Sequence, residues 1–245
     1  MKESKNIQVT QGDTTQYSLD GINSLVNDLN NKNKLIREKA QHSLISIGEP
    51  VTGNLVKALS DPRDRVRWEI VKILDEIHVD WTKHADEETI NILIGDLNNK
   101  DGRVRVRARN ALVSIGGKSV FALTEALKSK EQWTRWEAAK ALSEIGDSEA
   151  MEALLNALHD EVFEIRWLAG EGLIAIGRRT IVPLLKQLIK NPDSLWLQEG
   201  AHRILHGLIR DNNKEILKPV LNALEGEEIA LEVPFIAETA LKALV

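Results

Sequence analysis

Apolar residues along this chain return three and four positions apart in short runs, with polar residues between them. In 135–146, Ala138, Ala141, Leu142 and Ile145 form one stripe at helical period, while Lys140 and Ser143 face the other way. The same slots hold Ile70, Ile73, Leu74 and Ile77 earlier, and Ala169, Gly172, Leu173 and Ile176 later. A second apolar run precedes each stripe, Ser119 to Leu127 in this instance, and a short charged turn, 128–132, joins the two. Most pairs close on a glycine placed where a helix ends, such as Gly146. The pattern predicts helix pairs over about 21–48, 51–78, 88–116, 119–146, 149–177, 180–209 and 214–245.

The pairs are copies of one unit. Arg-Val-Arg-Trp-Glu at 65–69 returns as Arg-Val-Arg-Val-Arg at 103–107, Trp-Thr-Arg-Trp-Glu at 133–137 and Glu-Ile-Arg-Trp-Leu at 164–168. The anchoring arginines Arg37, Arg67, Arg105, Arg135 and Arg166 are spaced by 30, 38, 30 and 31 residues. A fixed period in this range specifies stacked supersecondary units that bury their apolar faces against one another. The expected fold is therefore an all-α, right-handed α-solenoid of about seven helix pairs. One insertion, Val79 to Glu88 with Trp81 and His84, accounts for the long spacing. Pro50, Pro183 and Pro219 are expected at or near first-helix starts, where a missing N–H costs little. The last unit has no anchoring arginine, and Pro234 is expected to open its second helix. Residues 1–20 offer no core-facing period and are expected to form a disordered tail ahead of a single repeat domain over 21–245.

Composition narrows the partners. The chain has 245 residues, 42% hydrophobic and 28% charged, with a net charge of -5. That balance argues against a nucleic-acid binder. There is no cysteine, so thiolate chemistry and disulfides are excluded, and a cytoplasmic location is the expectation. No apolar run approaches the length of a membrane span, and the N-terminus lacks the apolar core of a signal peptide.

The frame Arg135, Ala138, Ala141-Leu142, Ile145-Gly146 and its copy Arg105, Ala108, Ala111-Leu112, Ile115-Gly116 resemble the HEAT-like repeats, in particular the short type named after phycobilin lyases. The resemblance covers the chain after residue 20. It implies that the pairs are HEAT-like, that second helices line a concave surface, and that the arginines form a structural ladder with acidic residues of the preceding turn. Asp64, Asp101 and Glu131 stand three or four residues ahead of Arg67, Arg105 and Arg135.

The position after the ladder arginine points away from the core stripe, yet it carries Trp68, Trp136 and Trp167, with Val106 in the third unit and Phe235 as a candidate in the seventh. Leaving tryptophan in water forfeits roughly 2–3 kcal/mol of transfer free energy. An aligned row of indoles is thus expected to be a binding surface. Its polar neighbours are Lys72, Lys140, Glu171, Glu199, Arg203 and His206. The leading expectation is a module whose Trp-lined concave groove binds a protein partner or segment. Trp133 and Trp196, near the turns, are expected to pack.

Two further readings stay open. The lyase resemblance admits an enzyme or chaperone for a small aromatic ligand, with a bilin or other tetrapyrrole as ligand. Glu171, Glu199, His202 and His206 are then the candidate acid–base groups. No cofactor is predicted from the residues, and no metal ligands are assigned: Glu199, His202 and His206 have a permissible spacing, but three groups on one helix need help from another element. The other reading is a HEAT-like alkylpurine DNA glycosylase, which also uses concave tryptophans; no catalytic aspartate aligns here. Deoxyhypusine hydroxylase, a HEAT-like enzyme, implies paired His-Glu steps for iron. This chain has Trp68-Glu69 and Trp136-Glu137 in their place.

Overall fold

The computed structural model describes residues 18–244, and among these every regular element is a helix. The tail expected over 1–20 falls outside them up to residue 17. Its far boundary moves, because Leu19 and Asp20 already belong to the first helix, capped by the Ser18 hydroxyl, which accepts from Gly21 N. The chain divides into two compact units, Met1–Val79 and Asp80–Val245.

The first unit holds α1 (Leu19–Asp28) paired with α2 (Lys34–Ile47), and α3 (Thr52–Lys57) paired with α4 (Asp64–Glu76). The second holds α5 (Glu87–Asp96) with α6 (Gly102–Ile115), α7 (Gly117–Ala126) with α8 (Gln132–Ile145), α9 (Met151–Ala157) with α10 (Phe163–Ile176), α11 (Ile181–Lys190) with α12 (Leu195–Leu208), and α13 (Lys214–Leu224) with α14 (Ile229–Leu244). These are the seven pairs that the period predicts.

Local chemistry explains the boundaries. Asp86, Asp101 and Ser194 stand just ahead of α5, α6 and α12, and their side chains accept from Thr89 N, Arg103 N and Leu197 N. The Ile-Gly closures put Gly48, Gly116, Gly146 and Gly177 at positive φ, where a Cβ would strain the turn. In the second pair the closure reads Ile77-His78, and His78 adopts the same backbone hand at φ 56°. The insertion forms a short 3-10 turn, Trp81–His84, capped by Asp80, with Trp81 buried.

In the second unit α6, α8, α10 and α12 pack side by side in one layer. Ala138, Ala141, Leu142, Ala169 and Leu173 are fully buried in it. Alanines at the crossings let the helices approach, and leucines fill the space between layers. Gly172 goes one step further: a Cβ there would meet Leu154 Cδ1 at 2.8 Å. The last pair breaks the pattern, since α14 packs chiefly on α11 and α13. Phe235 is therefore exposed on α14 and does not continue the tryptophan slot. Pro234 lies inside α14, five residues after its start, and Pro219 lies inside α13; both were expected at helix starts.

The ladder arginines do structural work by a different bond from the one expected. Each sends Nη1 to the carbonyl six residues upstream, in the turn between the paired helices: Arg37 to Asn31, Arg67 to Asp61, Arg105 to Asn99, Arg135 to Ser129 and Arg166 to Asp160, at 2.7–3.0 Å. Gln198 fills the slot in the sixth pair and sends Nε2 to Pro192 O. The recurring requirement is a long donor that satisfies a turn carbonyl. Acidic partners vary. Asp64 pairs with Arg67 as expected. Asp101 gives its carboxylate to Arg103, and Arg135 pairs with Asp160 and Glu161 of the next turn in place of Glu131.

A candidate binding cleft between the tenth and twelfth helices

Five of the candidate binding and acid–base residues converge on one cleft of about 440 Å³ between α10 and α12. Trp167 comes from α10 and Glu199, His202, Arg203 and His206 from α12, joined by Phe163, Arg166, Trp196 and Gly200. Three aromatic side chains face solvent there: Phe163 is 49% exposed, Trp167 47% and Trp196 44%. Trp196 was expected to pack; it is instead half open on this wall.

Two guanidinium groups cover the indoles. Arg203 lies 3.9 Å from the Trp167 ring centre and Arg166 lies 4.5 Å from that of Trp196, within the range of cation–π attraction. Arg203 is pinned from two further sides. It pairs with Glu171 and donates Nη2 to Trp167 O at 2.6 Å. Burial pulls its pKa down, and the Glu171 carboxylate opposes that pull. Room for the guanidinium comes from Gly170, because a Cβ at that position would overlap Arg203 Nη2. Glu171, one of the candidate acid–base groups, is thus committed to Arg203. His202 Nε2 lies 2.8 Å from Glu225 Oε1, and its ring stacks on His206 at 6.4 Å. The described residues contain no group of three or more His, Asp or Glu able to hold a metal ion.

The origin of the cleft is visible by comparing two pairs of adjacent repeats. Between α6 and α8 the corresponding space is filled: Glu137, buried, takes Arg109 Nη1 at 2.8 Å and Arg105 Nε at 3.4 Å. Counting from the ladder position, Glu137 corresponds to Gly200 and Arg109 to Gly170. Two glycines therefore replace the ion pair that closes the layer between α6 and α8. The stack of guanidinium on indole survives the change, since Arg105 lies 4.1 Å over Trp133 as Arg166 lies over Trp196. Sequence periodicity singled out Arg166 only as a ladder arginine, and did not single out Phe163, Gly170 or Gly200. The signal was present in the slot-by-slot comparison of units three and four with five and six.

The remaining candidates lie elsewhere. Trp136 is half-buried on α8 and meets Trp133 edge-on at 6.5 Å. Lys140 pairs with Glu144 along the same helix at 3.3 Å. Trp68 is half-buried on α4, in the first unit, where Lys72 pairs with Glu76 at 3.7 Å. In that unit Glu69 is buried and accepts from Gln41 Nε2, the same cross-repeat position that Glu137 occupies in the second unit.

Residues 96–174 match the family described as HEAT repeats. With the helix-pair period and the ladder, this makes the chain a HEAT-like repeat protein. It is similar to deoxyhypusine hydroxylase of Drosophila melanogaster, 30% identical over 113 residues, 44% of this chain and 37% of that enzyme. The chain thus spans well under half the length of that relative. Among solved structures it is similar to human deoxyhypusine hydroxylase in complex with glycerol (22% identity, TM-score 0.40, 78% of this chain and 75% of that one). It is also similar to an engineered protein (23% identity, TM-score 0.44, 76% and 96%) and a designed armadillo repeat protein (18% identity, TM-score 0.36, 91% and 100%). The residues here do not fit the iron centre that the hydroxylase resemblance implies. Tryptophan stands in place of histidine at 68 and 136, and the adjoining carboxylates are buried, Glu69 hydrogen-bonded to Gln41 and Glu137 ion-paired with Arg105 and Arg109.

Proposed function

We propose that this protein is a binding module and that the cleft between α10 and α12 receives a segment of another protein. The observation that carries the proposal is the convergence of Phe163, Trp167 and Trp196, all about half exposed, around guanidinium groups already held in place. Aromatic and arginine side chains grouped in a concave, partly desolvated spot are the composition of interface hot spots. Arg203 is fixed by Glu171, Trp167 and Gly170 before any ligand arrives, which lowers the ordering cost of binding. Of the wider surface expected from the sequence, Trp136 and Lys140 belong to this proposal as flanking contacts in the same unit; Trp68 and Lys72 lie in the first unit.

The test is selection of peptides on the whole chain, followed by anisotropy titration against wild type and Trp167→Ala. Trp167 is half exposed, so its removal costs about 2 kcal/mol of stability at most, below the range for a buried indole. Binding should weaken at least tenfold. Unchanged affinity in the variant would place the site elsewhere. Saturable quenching by haem or a bilin, with no peptide selected, would favour the tetrapyrrole reading.

A further inference from the structure

The open side of this cleft carries Arg166, a cation that makes no ion pair among the described residues. Arg166 ties the turn through Nη1 to Asp160 O and Glu161 O. The carboxylates of those same two residues are taken by Arg135, at 2.7 and 3.1 Å. Among the described residues Arg166 has no ion pair, unlike Arg105 and Arg135 in the same unit. The slot from which Glu137 serves Arg105 is Gly200 opposite Arg166. The cation is also dispensable for the turn, because Gln198 makes the equivalent bond to Pro192 O without a charge.

Resting on the reading of the cleft as a protein-binding site, we infer that its ligand is an acidic peptide segment. One of its Asp or Glu carboxylates takes the place that Glu137 holds in the filled repeat, between the two helices and against Arg166. An apolar side chain next to it lies on Trp167 and Trp196. The geometry of recognition already exists in cis: between α6 and α8 an arginine stacked on an indole forms an ion pair with a carboxylate of the neighbouring helix at 3.4 Å. In the cleft the partner supplies that carboxylate in trans, and a guanidinium–carboxylate bond in a partly desolvated site is the stronger kind of hydrogen bond.

The experiment uses two fluorescein-labelled acetyl peptides, one of alternating leucine and glutamate and one with glutamine for glutamate, titrated by anisotropy at low salt. Wild type should bind the acidic peptide about tenfold more tightly, the size of one charged hydrogen bond. Arg166→Gln should bind both alike. Gly200→Glu, which returns the missing carboxylate, should lose the acidic peptide by a similar factor. The atoms nearest the new Cβ all belong to the Leu158 side chain, with Cδ2 at 3.2 Å, so this variant carries the test even if Arg166→Gln is unstable. Equal binding of both peptides by wild type, or a preference retained by Arg166→Gln or by Gly200→Glu, overturns the inference. If wild type binds both equally and Trp167→Ala weakens both, the cleft stands as a peptide site and only the acidic ligand falls. Binding of neither peptide removes both proposals.

Discussion

Gly170→Ala is the perturbation that asks most directly whether Arg203 is held where the structure places it. An alanine Cβ would overlap the Nη2 of Arg203 and stand 3.6 Å from Ile204 Cγ1. Only the guanidinium, the far end of a flexible side chain, has to move. It would leave the Trp167 ring and give up its bonds to Glu171 and to Trp167 O. The losses are about 0.5–1 kcal/mol for the cation–π contact, about 1 kcal/mol for the carbonyl bond and at most about 1 kcal/mol for an ion pair in which Glu171 is half exposed. Against these, replacing a mid-helix glycine by alanine gains roughly 0.5–1 kcal/mol. The sum is a loss of about 1 kcal/mol, small enough for a folded protein. The assay is a urea melt read by circular dichroism, together with acrylamide quenching of tryptophan emission, which should increase as the Trp167 ring is uncovered. A rise in stability by the full helix-propensity gain, with unchanged quenching, would refute the placement of Arg203.

Three other outcomes follow from the packing. Glu137→Gln removes a buried carboxylate from between Arg105 and Arg109, whose side chains are only 13% and 14% exposed; the loss should be about 3–5 kcal/mol in urea melts, and a loss below about 1 kcal/mol would mean the pair is solvated. His78→Gly relieves a side chain held at φ 56° and should raise stability by about 1 kcal/mol; a lower urea midpoint would show that His78 makes a compensating contact. Asp101, ahead of α6, has its pKa lowered from 3.8 to about 2 by the Arg103 side-chain bond and then the Arg103 backbone N–H, and Asp86 is lowered chiefly by the Thr89 N–H. Carboxylates depressed in the fold stabilise it fully above their ordinary value and lose that contribution as pH falls through the lowered one, so urea midpoints should fall between about pH 4 and pH 2, and a flat profile there would contradict these caps.

The pairs, their boundaries and the core stripe were legible because they rest on period, turn chemistry and alanine placement, all of which are local. Ala138 and Leu142 could be assigned to the core from spacing alone. The role of the ladder arginines was only half legible. The helical wheel gives their direction, but the bond to the carbonyl six residues back depends on how the turn folds beneath the helix. Acidic partners were misassigned for Arg135 because Asp160 belongs to the next unit. The tryptophan slot was read as one continuous row. Packing divides it: Trp136 meets Trp133 on a filled layer, whereas Trp167 borders a layer emptied by Gly170 and Gly200. A glycine in a helix reads from sequence as a weak position, and only the helix opposite shows whether it leaves a gap. The last unit escaped the pattern because α14 is held by α11 and α13, contacts that no within-helix period encodes.

The central claim is that ligand enters between α10 and α12. The chain has six tryptophans, so six indole N–H signals report on different faces in one nitrogen–proton NMR spectrum, assigned by single substitutions. On titration with a selected peptide, the Trp167 and Trp196 signals should shift together and saturate at one stoichiometry, while that of Trp81, buried in the insertion turn, stays fixed. Shifts confined to Trp68 or Trp136, with Trp167 and Trp196 unmoved, would contradict the account.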